Sequence, residues 1–210
     1  MSIASEIKRI AKASADIKAS IKAKGVAVPE GTLIDGCSAL IDKISGENED
    51  RLLNREITTI SNDKVKDLGS YALAGCYSLV SASFPNVTKL YTSAFYRCTN
   101  LTDISFPNLL EISTDVFNGC TKLSKADLKV VASIGQSAFS GCTSLKTLII
   151  RTSTCASLGN SAFFNTPIGN GIGDIYVPSN LVDAYKSATN WSALATQIRA
   201  IEDYPDITGG

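Results

Sequence analysis

Cys76, Cys98, Cys120 and Cys142 stand 22 residues apart, and Leu68, Leu90, Ile112 and Ile134 keep the same interval. A fixed period in the range of about 20 to 50 residues marks a solenoid, in which each unit lacks a core of its own and buries its apolar side against its neighbours. The repeat therefore decides the fold class before any single segment is read: an α/β repeat, a short leucine-rich solenoid of period 22, with N-terminal helices and a helical C-terminal cap.

The unit is clearest from Leu101, where Leu101, Ile104 and Phe106 follow the i, i+3, i+5 cadence of a leucine-rich repeat and Pro107 ends the strand. The same frame gives Leu79, Ala82 and Phe84; Leu123, Ala126 and Leu128; and Leu145, Leu148 and Ile150. Ile57, Ile60 and Val65 form a degenerate opening coil, and Ile172, Ile175 and Val177 a closing one after a longer connection. Leu73, Phe95, Phe117 and Phe139 should stack as plugs on the other side, with Gly75, Gly119 and Gly141 supplying the turn before each Cys.

Three segments follow, at 1–46, 52–178 and 179–210. In the first, Ile3, Ile7, Ile10, Ile17 and Ile21 step by four and three, with Ser14 in the one gap. Ile at both seam positions favours three strands or more, and three heptads would run about 32 Å. A parallel homotrimeric coiled coil is the expectation here, against an amphipathic helix packed on its own domain. Gly25 and Pro29 end that helix, and a second is expected from Leu33 to Ile44. The polar run 45–51 leads into the solenoid. At the other end, Pro178 and Ser179 open a short helix, and Trp191, Leu194 and Ile198 form the inward stripe of another, which acts as a lid on the last coil.

Charge balances, 20 Lys and Arg against 20 Asp and Glu, so nucleic acid is not an expected partner. No apolar run reaches a membrane span, and no secretory leader is read at 1–24. His is absent, which removes the commonest general base and metal ligand. No C-x-x-C pair occurs among the six Cys. No catalytic residues, metal or cofactor are expected. The four periodic Cys read as buried thiols, because parallel side chains on stacked coils oppose disulfide geometry.

"SAFSGCTSL" at 137–145 and "SAFYRCTNLTDISFP" at 93–107 resemble the BspA-like leucine-rich repeat family, over about residues 57–178. The resemblance implies the fold, and for function it implies surface adhesion modules or parts of phage structural proteins. The two flanks look like those of phage tail-associated proteins. With no leader or anchor read, the expectation is a non-enzymatic virion protein of tail or fibre type, used in host attachment and contacting other virion proteins. The alternative is a bacterial cell-surface or secreted adhesion protein.

Within the repeat frame, residues pointing away from the core on the strand face are Ser81, Ser83, Asp103, Ser105, Lys125, Asp127, Thr147, Ile149, Asp174 and Tyr176. They vary from coil to coil while core positions repeat, which suits recognition of a host-surface glycan or protein and equally suits an ordinary solvated face. Tyr71, Tyr77, Tyr91 and Tyr96 read mainly as half-buried packing, with sugar stacking as the other use.

Overall fold

The structure is a computed structural model and describes residues 57–207. The expected seam at Ile3, Ile7, Ile10, Ile17 and Ile21 and the helix at 33–44 lie outside the described residues.

Twelve short strands run through the described part, every pair parallel. Alternate strands belong to opposite sides of the coil. One side carries β1 (Thr59–Ser61), β3 (Ser81–Ser83) and β5 (Asp103–Ser105) in a first sheet. It continues with β7 (Lys125–Leu128), β9 (Thr147–Ile150), β11 (Asp174–Val177) and β12 (Ile198–Ala200) in a second. The other side is a five-stranded ladder of two-residue strands, β2 (Asp67–Leu68), β4 (Lys89–Leu90), β6 (Glu111–Ile112), β8 (Ser133–Ile134) and β10 (Ser157–Leu158). The pairing register repeats the sequence period: Leu68 faces Leu90, which faces Ile112, which faces Ile134.

Between the two ladders lies one continuous apolar spine, in which Leu79, Leu101, Leu123 and Leu145 are each at most 1% exposed. Burial of each such side chain contributes about 2 kcal/mol. Phe95, Phe117, Phe139 and Phe163 stack in a column with centroids 5.2–5.6 Å apart, and Trp191 closes its end at 6.2 Å. The expected plugs are therefore in register.

The arcs joining the ladders are turns, and they too bond coil to coil: the Ser93, Phe95 and Arg97 amides donate to the Thr114, Val116 and Asn118 carbonyls. This alternation needs left-handed backbone twice per arc. Gly75, Gly119 and Gly141 supply it at φ 69–77°, while Arg97 adopts it at φ 57° without that freedom.

The repeat loosens near its end, where β8 to β10 spans 24 residues (Ser133 to Ser157) and β9 to β11 spans 27 (Thr147 to Asp174). The first lengthening falls at 151–156 and the second in a glycine-rich connection before β11, where Ile172, expected in the closing coil's core, is 75% exposed. Ile175 and Val177 are buried as expected.

Past residue 178 the expected pair of helices takes a different form. Only Val182–Ser187 is α-helical (α1), Ser192–Gln197 is a 3-10 helix, and Ile198 begins β12, which extends the sheet beside β11. Trp191, Leu194 and Ile198 are nonetheless buried. The segment meets the last edge of the small ladder through its own side chains. Tyr185 Oη accepts the Ala156 amide at 2.9 Å, Trp191 Nε1 donates to the Ala156 carbonyl at 2.7 Å, and Asn190 Nδ2 donates to the Leu158 carbonyl at 2.6 Å. Backbone groups that an open edge would expose are thereby satisfied.

Candidate binding face

Outward side chains of the long sheets form two rows. The first runs Thr59, Ser81, Asp103, then Lys125, Thr147, Asp174; the second runs Ser61, Ser83, Ser105, then Asp127, Ile149, Tyr176, Arg199. Strand pairing holds neighbours in a row about 4.8 Å apart. All ten residues expected on this face do lie on these rows, but they divide into two halves of different character.

Among the described residues, the half on β1, β3 and β5 is open and polar. Asp103 and Ser105 are exposed, and Ser81 and Ser83 are half-buried. Ser81 Oγ donates to Thr59 Oγ1 at 3.2 Å, and Thr102 Oγ1 donates to Asp103 Oδ2 at 3.0 Å. Hydroxyls and one carboxylate on adjacent strands offer donors and acceptors on a fixed grid.

The half on β7, β9 and β11 is occupied. Ile149 and Tyr176, expected to point into solvent, are 0% and 6% exposed. They form a second apolar cluster with Ile201, against which Ile207 packs. The physical reason is that the chain returns over this face after β12, and burial pushes the Tyr176 phenol up from its ordinary range. Asp127 is held by a two-point ion pair with Arg151, Nε to Oδ1 at 3.0 Å and Nη2 to Oδ2 at 2.9 Å, and hydrogen bonding to Asp127 raises the guanidinium pKa. Asp174 pairs with Arg199 at 3.4 Å, and Lys125 Nζ donates to the Ile207 carbonyl at 3.3 Å. Sequence reasoning missed Arg151, Arg199, Ile201 and Ile207. The available signal was Ile149 and Tyr176 themselves, two apolar residues in a row that otherwise carries Ser and Asp.

Elsewhere, Tyr91 and Tyr96 are half-buried under cations, Lys89 Nζ at 4.9 Å and Arg97 Cζ at 5.1 Å from their ring centres, whereas Tyr71 and Tyr77 are exposed. A shallow groove of about 530 Å³ crosses the small ladder, lined by Glu111, Ser113, Ser133 and Gly135 among others, and it contains none of the ten strand-face residues. Among the described residues no group of His, Cys, Asp and Glu is placed to hold a metal ion, and no helix is long and apolar enough to cross a membrane.

A family model described as the BspA type leucine rich repeat region matches residues 66–194 in six copies, more than half of the chain. The chain belongs to the BspA-type leucine-rich repeat family. No curated protein matches it. Among solved structures it is similar to a Treponema pallidum leucine rich repeat protein at 27% identity and TM-score 0.50, the match covering 58% of each chain. It is also similar to a leucine rich cell surface protein of Faecalibacterium prausnitzii, at 24% identity and TM-score 0.43, over 58% of this chain and 39% of the other. A Bacteroides ovatus leucine-rich repeat protein matches at 22% identity and TM-score 0.47, over 69% and 42%. The match thus spans less than two thirds of each relative. The BspA-type repeat accounts for the Cys positions: Cys98, Cys120 and Cys142 are buried thiols that donate to the carbonyls of Leu73, Phe95 and Phe117 at 3.1–3.2 Å.

Proposed function

We propose that this BspA-type solenoid is a non-enzymatic recognition module of a bacterial cell-surface or secreted protein, presenting the β1, β3 and β5 face to a glycan or protein on a host surface. One observation carries the reading: no described residue packs over Ser81, Ser83, Asp103 and Ser105, whereas Ile149 and Tyr176 on the other half are covered by the returning chain. Polar groups on a doubly laddered backbone need little ordering on binding, which lowers the entropic cost of recognition. Similarity to a bacterial leucine-rich repeat protein of T. pallidum supports the bacterial setting. No finding supports the virion setting expected from the flanks, and the adhesion reading takes its place.

Self-association through Ile3, Ile7, Ile10, Ile17 and Ile21 belongs to the same proposal, because three copies on one support gain avidity from weak sites. Light scattering should give about three times the 22.2 kDa chain mass, and a monomeric mass would remove this part of it. The function itself is tested with fluorescent full chain on cultured epithelial cell layers. Saturable binding, competed by unlabelled chain, is expected. Pretreating the layer with protease or with glycosidase distinguishes a protein ligand from a glycan, and absence of saturable binding would overturn the reading.

A further inference from the structure

The covered half of the strand face has a well-defined occupant. Ile201–Asp203 and Pro205–Ile207 are two successive 3-10 turns. Side chains three residues apart share a side in such turns, and here Ile201, Tyr204 and Ile207 all turn to the cluster around Tyr176. Ile201 and Ile207 pack with Ile149 and Tyr176, and the Tyr204 ring stands edge-on to Tyr176 with centroids 5.0 Å apart. Polar contacts fix both ends: Glu202 Oε2 accepts the Ser179 amide at 2.9 Å, and Lys125 Nζ donates to the Ile207 carbonyl. Glu202, Asp203 and Asp206 are exposed.

Two features distinguish this contact from ordinary core packing. Ile149, Tyr176 and Ile201 form a cluster separate from the solenoid spine, so the segment can leave without opening the coils. The surroundings also tolerate an acidic peptide: the Asp127 and Asp174 carboxylates are paired with Arg151 and Arg199, and the Lys125 ammonium meets the peptide backbone. We infer that the strand face of β7, β9 and β11 is a docking site for a short acidic peptide with apolar side chains at every third position, and that residues 201–207 hold it in cis. A tethered occupant acts at an effective concentration on the order of millimolar, so it excludes a free peptide of similar affinity.

The test uses the full chain carrying Tyr204→Ser and Ile207→Ser, which loosens the occupant and leaves the spine intact. The probe is a fluorescein-labelled synthetic peptide of sequence Ile-Glu-Asp-Tyr-Pro-Asp-Ile, followed by anisotropy, with the fluorescence of the single, buried Trp191 reporting the native fold. The substituted chain should bind the peptide saturably and at least tenfold more tightly than the unsubstituted chain, and replacing the peptide's tyrosine by serine should weaken binding about tenfold. Should the double variant fail to fold, Tyr204→Ser alone carries the same comparison. Equal binding to both chains, or none to a folded released chain, would overturn the proposal.

Discussion

Cys120 Sγ lies 3.2 Å from the carbonyl oxygen of Phe95, a residue one coil earlier, and donates to it from a site with no solvent exposure. Cys98 and Cys142 repeat the contact to Leu73 and Phe117. The periodic Cys is thus a small apolar residue with one useful donor, and a redox role is not needed to explain it.

Cys120→Ser keeps a donor in nearly the same volume and should cost about 1–2 kcal/mol, whereas Cys120→Asp buries an unpaired charge and should cost more than about 4 kcal/mol. Urea denaturation of both variants measures this. Equal costs would show that the position tolerates charge and is not enclosed as described.

Burial pushes the Cys142 thiol up from 9.0 to about 12, and raises Cys120 well above the ordinary thiol value. The folded state therefore keeps protons that the unfolded chain releases. The resulting stability is fully present below about pH 9 and is lost as pH rises from there towards 12. Urea midpoints taken at pH 8, 9.5 and 10.5 should fall, and the fall should be smaller in Cys142→Ala. An identical slope in the variant would remove the thiol from the explanation.

Arg97 occupies the left-handed position that Gly75, Gly119 and Gly141 fill in neighbouring arcs. A side chain there costs about 1–2 kcal/mol, against about 0.5–1 kcal/mol gained by its exposed contact over Tyr96. Arg97→Gly should therefore stabilise the protein by up to about 1 kcal/mol, an increase visible in the thermal midpoint. A decrease would mean that the stacked guanidinium outweighs the backbone strain.

The spine was legible in the sequence because every coil repeats one steric problem, and Leu79, Leu101, Leu123 and Leu145 solve it the same way. The closing region was not, because the repeat gives way there to residues read one at a time. Trp191, Leu194 and Ile198 fit the inward stripe of a helix, and the same spacing is satisfied by a 3-10 turn running into a strand. Ile172 was assigned to the closing coil by its i, i+3, i+5 spacing to Ile175 and Val177, although Gly169, Gly171 and Gly173 surround it. On the strand face, period-2 alternation correctly assigned which side chains leave the core. It could not say what lies above them, so Ser83 and Tyr176 looked equivalent until the returning segment 201–207 was placed.

Recognition by the open half of that face is tested most directly by two double variants compared on the same cell layer. One carries Asp103→Lys and Ser105→Arg, exposed residues of the open strands; the other carries Gln136→Arg and Thr143→Lys, exposed residues of the arcs. Both should melt within about 2 °C of the unsubstituted chain, since exposed substitutions cost little. The expected result is at least a tenfold loss of binding in the first and none in the second. Full binding by the strand-face variant, or equal loss in the arc variant, would contradict the assignment of this face.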